Sequence, residues 1–108
     1  MLQSPKVVID HIDCPDLKKL SAAADEIKTR TEGIAILFAN GDEKSHIIVS
    51  VHPNLTKTYN ANTMVKQVAT MVNGKGGGRS DFAQAGGDRI LEIPEFKRRI
   101  TEWFKSLP

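Results

Sequence analysis

The chain has 108 residues, of which 40% are hydrophobic and 26% are charged, and its formal net charge is +2. This length predicts one globular domain with a single core, and so small a charge is not by itself evidence for a nucleic-acid partner. The single cysteine, Cys14, excludes an internal disulfide and a cysteine-rich zinc site, and it favours a cytoplasmic location. No apolar run is long enough to span a bilayer, so we expect no membrane partner.

The first part of the chain predicts a strand, a helix and a second strand. Lys6 to Ile12 is a short apolar run that predicts a buried strand. Pro15 to about Arg30 carries apolar residues at helical spacing, and a second apolar run, Ile34 to Ala39, follows. Two strands joined in this way lie parallel in one sheet, so these residues predict a βαβ unit with a right-handed crossover.

The middle of the chain predicts a hairpin and a second helix. Asn40 to Glu43 is a turn signal, and the apolar run in Lys44 to Val51 therefore predicts an antiparallel partner strand. Asn54 to Asn60 is polar and fits a single helical turn. We expect Asn62 to cap a second helix that ends at Asn73 and Gly74.

The segment from Asn73 to Gly87, NGKGGGRSDFAQAGG, is rich in glycine. We interpret it as a contact loop, because consecutive glycines are tolerated mainly where the chain needs a positive φ or a close contact. Its main-chain N–H groups, flanked by Lys75 and Arg79, can cradle a phosphate. It matches neither a nucleotide-triphosphate P-loop nor a dinucleotide-binding fingerprint. An irregular connection whose glycines only permit tight turns is the alternative.

The last part of the chain completes the predicted fold. Asp81 to Ala85 fits a short strand, and Pro94 opens a third helix. The inward face of that helix should carry Phe96, Ile100, Trp103 or Phe104, and Leu107. The predicted fold class is α/β of an α+β-like kind. Its mixed sheet of about four to five strands is built from the βαβ unit plus the hairpin and is packed with about three helices.

Acidic residues are absent from a long stretch of the chain. No Asp or Glu lies between Glu43 and Asp81, whereas Lys and His recur there. Such a run, ending in glycines, is the electrostatic footprint of a phosphate-backbone partner, and chance depletion of acids on a solvated face is the alternative. The predicted nucleic-acid contacts are Lys66, Lys75, Gly76, Gly77, Gly78, Arg79 and Arg89.

No set of residues predicts catalysis or metal binding. Asp10 to Cys14 contains possible metal ligands, but neighbours along a strand point to opposite faces and no second ligand cluster follows. His46 and His52 have no evident partner, and Asp81 is expected to position the Arg79 guanidinium or to cap the loop. We therefore expect no catalytic, cofactor-binding or metal-binding residue in this chain.

Gly74 to Gly87, GKGGGRSDFAQAGG, resembles the signature near the C-terminus of alanyl-tRNA synthetases, in the DHH-associated domain that they share with DHH-type phosphoesterases. The resemblance covers nearly the whole chain, including Asp16 to Lys28 and Asn54 to Lys75. It implies a single noncatalytic domain over residues 1–108 that contacts the outer corner of alanine-specific tRNA and helps aminoacylation and editing act on one tRNA. It also implies a class II ligase as parent, with ATP, Mg and Zn used in other domains, contacts to those domains, and a possible homodimer.

Two alternatives to tRNA binding stay open. One is the nucleic-acid- or nucleotide-binding accessory domain of a DHH-type phosphoesterase, although those proteins typically carry His directly after the glycines and Arg79 at that place favours the synthetases. The other alternative is an oligomerisation or protein-interaction module that uses the glycine segment and the helix from Phe96 to Leu107.

Overall fold

The computed structural model describes residues 7–12, 17–31, 33–41 and 43–106, in which five strands form one mixed sheet. The strands are β1 Val7–His11, β2 Ile34–Asn40, β3 Lys44–Val51, β4 Lys75–Gly78 and β5 Phe82–Asp88. The helices are α1 Leu17–Thr31, α2 Ala61–Thr70 and α3 Ile93–Lys105, and Pro53–Leu55 forms a short 3-10 turn. The strand order is β1-β2-β3-β5-β4. The predicted fold class is confirmed.

The order of the strands follows from the predicted βαβ unit and hairpin. β1 pairs parallel with β2, and β2 pairs antiparallel with β3, with Ile34 opposite both Val7 and Val51. β5 then lies antiparallel to both β3 and β4. The predicted strand start at Lys6, the helix start at Pro15, and the inward position of Leu107 lie outside the described residues.

Two apolar clusters cover the two faces of the sheet. On one face Leu20 and Ala24 of α1 pack against Leu37 and Ile48. On the other face α2 and α3 bury a larger cluster, in which the rings of Phe38 and Phe96 meet edge to face with centroids 5.0 Å apart. β2 is buried on both faces because it lies inside the sheet, and this explains its continuous apolar run.

α2 begins two residues earlier than the predicted cap at Asn62. Asn60 is the N-cap, since its backbone is extended (φ −107°, ψ 117°) and its side chain accepts a hydrogen bond from Thr63 N at 3.2 Å. Ala61 N also donates a hydrogen bond to Ser80 O at 2.9 Å. This bond to a segment distant in sequence fixes the residue at which α2 begins. The prediction for Asn62 is wrong because both asparagines suit a cap and only the tertiary contact distinguishes them.

The outer face of α3 carries an ion-pair cluster that predicts a pH effect. Arg98 donates to Glu95 and, at 2.7 Å, to Glu102. The hydrogen bond from Arg98 is the main cause that lowers the pKa of Glu95 below its usual 4.5. A carboxyl whose pKa is lowered by folding adds stability above its unfolded pKa and loses it as the pH falls through the folded pKa.

Replacing Arg98 with methionine should therefore raise the pKa of Glu95. The variant should then lack the part of the stability loss below pH 4.5 that comes from protonation of Glu95. An NMR titration of the Glu95 carboxyl measures this pKa in both proteins. An identical pKa in the variant would show that Arg98 does not stabilise the charged carboxylate.

Candidate nucleic-acid interface

The glycine-rich segment is not the irregular loop that its composition predicts. Lys75–Gly78 forms the edge strand β4, with Gly76 opposite Ala85 and Gly77 opposite Gln84 of β5. β5 continues to Asp88 and is longer than the strand predicted from Asp81 to Ala85. Because N–H groups alternate in direction along a strand, those of the three consecutive glycines do not converge on one anion, whereas the assignment of these glycines as nucleic-acid contacts stays a prediction.

Gly76 and Gly78 are required by the close approach of β4 to β5. No glycine among the described residues has a positive φ, so conformational freedom does not explain them. A Cβ at Gly76 would lie 2.5 Å from Ala85 Cα, and one at Gly78 would lie 2.6 Å from Phe82 O. These atoms belong to the paired strand and cannot move without disturbing it, so the two glycines serve internal packing.

Gly77 differs from its neighbours because it faces α2. A Cβ at this position would meet only side-chain atoms, Asn62 Oδ1 at 3.0 Å and Lys66 Cε at 3.6 Å. Asn62 also accepts a hydrogen bond from Gly78 N at 3.1 Å, which ties α2 to the edge strand. The absent side chain at Gly77 therefore leaves main chain accessible beside Lys66.

Lys66 and Lys75 line one groove of about 310 Å³, together with Gly74 and Gly76. Both lysines are exposed, and within the described part of the chain neither forms an ion pair with a carboxylate. Strand alternation directs Gly76 N–H to the same side as Gly78 N–H, which points to α2. Two ammonium groups and a main-chain donor suit an anion such as phosphate. We call this the lysine groove.

The structure does not bring all the predicted contact residues together. Arg79 lies at the opposite end of β4 from Lys75, about 13 Å along the extended chain. Its Nε is 3.4 Å from Asp81 Oδ1, as expected from the sequence, but its side chain stays 77% exposed. Arg89 follows the end of β5 and donates from Nε to Gly41 O at 3.1 Å, and it lines a different cavity. Lys66, Lys75 and Gly76 thus form the lysine groove, Arg79 extends the surface, and Arg89 is separate.

A second basic groove crosses the sheet and was not predicted. His46, Gly86 and Lys75 are partners across β3, β5 and β4, and Gly86 places no side chain between the other two. With Lys44 and Gln84 they line a groove of about 290 Å³. The only feature of the sequence that pointed to this groove was the position of Lys44 and His46 in the acid-free run. Their proximity to Lys75 depends on the strand register, which the sequence does not show.

The part of the chain that the structure describes holds neither a metal-binding cluster nor a membrane-spanning helix. No three His, Cys, Asp or Glu side chains there are grouped so that they could hold a metal ion. Asp13 and Cys14 of the sequence candidate lie outside the described residues. No helix there is both long and apolar enough to cross a membrane.

The five-stranded mixed sheet, with α1 on one face, two helices on the other and a glycine-rich edge strand, defines an α+β domain. The chain belongs to the DHHA1 domain family, which it matches over residues 4–106.

Alanine–tRNA ligases from two strains of Staphylococcus aureus are 35% identical to this chain over 103 residues. The match covers 94% of this chain but 12% of each ligase. The resemblance to alanyl-tRNA synthetases found in the sequence is therefore confirmed.

Solved structures show the same fold. The C-Ala domain of Aquifex aeolicus alanyl-tRNA synthetase has a TM-score of 0.79 at 24% identity, with 89% of this chain and 87% of that chain covered. RecJ from Thermus thermophilus, solved with Mn2+, has a TM-score of 0.64 at 16% identity, with 94% of this chain and 14% of RecJ covered.

Proposed function

We propose that this chain is a noncatalytic tRNA-binding domain of an alanine–tRNA ligase. The observation that carries this function is the lysine groove, in which Lys66 and Lys75 lie beside the bare main chain of β4 and form no ion pair with any carboxylate among the residues that the structure describes. Its contact with the outer corner of tRNA would help aminoacylation and editing act on one tRNA. The parent would be a cytoplasmic class II ligase that uses ATP, Mg and Zn in other domains, and those domains and a second copy of the chain are its proposed protein partners.

The contacts would be made mainly to phosphates. Lys66 and Lys75 would each contact a phosphate at the lysine groove, and the exposed Arg79 at the far end of β4 would reach a third along the same RNA strand. The exposed face of α2 carries Thr63, Gln67 and Thr70 besides Lys66, and no acidic residue. Contacts of this kind recognise the shape of the RNA backbone and carry little base specificity.

Binding of tRNA should weaken steeply with salt, because bound cations release counterions from the RNA. Three phosphate contacts, from Lys66, Lys75 and Arg79, give a slope of log affinity against log salt of about −2 to −3. Raising the salt concentration fourfold should then weaken binding roughly 15- to 60-fold. Anisotropy of labelled tRNA at the two salt concentrations measures this, and affinity independent of salt would refute phosphate binding.

Competition separates this function from the phosphoesterase hypothesis. An unlabelled dinucleotide should displace tRNA poorly, since it cannot reach both Lys75 and Arg79, about 13 Å apart along β4. If an unlabelled dinucleotide displaces labelled tRNA at the same concentration as unlabelled tRNA does, the chain is better described as a nucleotide-binding accessory domain.

A further inference from the structure

We infer that a groove between α2 and α3 binds one unstacked base of the bound RNA, an inference that rests on the proposed tRNA binding. The groove has a volume of about 280 Å³, and its walls include Tyr59, Asn60, Thr63, Gln67 and Trp103. Pockets for drug-sized ligands begin at about 300 Å³, so this one suits a single base. We call it the aromatic groove.

Both aromatic rings of this groove are held in place by neighbouring side chains. Trp103 Nε1 donates a hydrogen bond to Gln67 Oε1 at 2.7 Å. The Tyr59 ring stacks on Phe104, with centroids 5.6 Å apart and planes 20° apart. Both rings pack partly against the main core and still line the open groove. A base would therefore meet fixed aromatic surfaces, and little side-chain entropy would be lost on binding.

The polar side chains of the aromatic groove are uncharged, and two of them, Gln67 and Asn60, have NH2 groups available to donate hydrogen bonds to a ligand. Gln67 uses its oxygen to accept from Trp103, so its NH2 group is left to donate. Asn60 uses its oxygen to accept from Thr63 N, which leaves a second NH2 group. Amide donors beside aromatic rings are the combination that recognises the carbonyl and ring-nitrogen acceptors of splayed bases.

The aromatic groove and the lysine groove lie on two flanks of the same helix. On α2, Lys66 borders Gly77 of β4 and the next residue, Gln67, borders Trp103 of α3, while the bond from Ala61 N to Ser80 O places the start of α2 beside Arg79. The nearest acid in sequence to Trp103, Glu102, is held by Arg98 at 2.7 Å. An RNA strand that contacts Lys66 and Arg79 can thus turn a base into the groove, and this adjacency favours RNA over a protein partner.

Trp103 is the chain's single tryptophan and reports directly on the groove. Its emission, excited where tyrosine does not absorb, should be quenched in step with tRNA binding followed by anisotropy. N-acetyltryptophanamide in the same titration corrects for absorption by the RNA. Ribose 5-phosphate, which has no base, should leave the emission unchanged, whereas uridine and adenosine monophosphates should quench it at high concentration.

Substitutions test the same contacts in the whole chain. Tyr59→Ala should weaken tRNA binding roughly 5- to 150-fold, the usual range for one lost stacking partner, and Tyr59→Phe should bind as the wild type does. Gln67→Glu keeps an acceptor for Trp103 but removes the NH2 donor and adds a negative charge, so it should weaken binding about 10-fold. Thr29→Glu adds the same charge on α1, on the opposite face of the sheet, and should have no effect.

Tyr59 is partly buried, so Tyr59→Ala could fail to fold. In that case the test depends on Gln67→Glu, because Gln67 is exposed. Tight tRNA binding with unchanged Trp103 emission and wild-type affinity of Gln67→Glu would overturn the base site and leave the groove as a protein contact. The proposed tRNA binding would survive that result. Absence of tRNA binding by the wild type at low salt would instead overturn both.

Discussion

Replacing Gly76 with alanine is expected to lower the free energy of unfolding by about 1–3 kcal/mol, the usual cost of overpacking. The new Cβ would lie 2.5 Å from both Ala85 Cα and Gln84 O, so β4 would have to move away from β5. Denaturant unfolding measures the change, and in a domain of this size each 1 kcal/mol lowers the Tm by about 4–8 °C.

Gly77→Ala is the matched control for Gly76→Ala. Its Cβ would meet only side-chain atoms, Asn62 Oδ1 at 3.0 Å and Lys66 Cε at 3.6 Å, so at most the hydrogen bond from Gly78 N to Asn62 is disturbed and stability should fall by no more than about 1 kcal/mol, less than for Gly76→Ala. The added methyl group would nonetheless occupy space beside Lys66, and tRNA affinity should fall. Equal losses of stability in the two variants would contradict the conclusion that Gly76 and Gly78 serve internal packing whereas Gly77 does not.

Removing both lysines of the lysine groove should weaken tRNA binding strongly. Each charge-assisted contact contributes about 1.5 kcal/mol or more, so Lys66→Ala with Lys75→Ala should weaken tRNA binding about 100-fold at low salt. The salt dependence should also become shallower by about two units of slope. Both side chains are exposed, so the unfolding transition should stay close to that of the wild type.

The control for this variant removes two positive charges elsewhere. Lys19 and Arg30 are exposed on α1, which covers the opposite face of the sheet, and their replacement by alanine should change affinity by less than about 3-fold. If both double variants weaken binding equally, net charge alone attracts the RNA and the lysine groove has no specific role.

The fold was predictable where local pattern and tertiary structure agree. The apolar run from Ile34 to Ala39 lies inside the sheet, and the turn signal after Asn40 joins β2 to β3. The cap of α2 was not predictable, since the bond from Ala61 N to Ser80 O selects Asn60 over Asn62. β4 was missed because three glycines carry no strand propensity of their own and form a strand only by pairing with β5.

The candidate site was predictable only in part, for a similar reason. The acid-free run identified Lys66 and Lys75, which the structure places in one groove. It could not show that Arg89 lies apart or that Arg79 lies at the far end of β4, because these positions depend on strand direction and length. The aromatic groove depends on the hydrogen bond between Gln67 and Trp103, whose separation of 36 residues leaves no local pattern in the sequence.

Backbone amide NMR of the labelled chain with tRNA tests most directly whether the lysine groove is the RNA surface. We expect the largest shift changes in Lys75–Gly78 and in α2 around Lys66, with Leu17–Thr31 of α1 unaffected. Changes confined to α1, or binding that leaves the amides of β4 unperturbed, would contradict the proposed site.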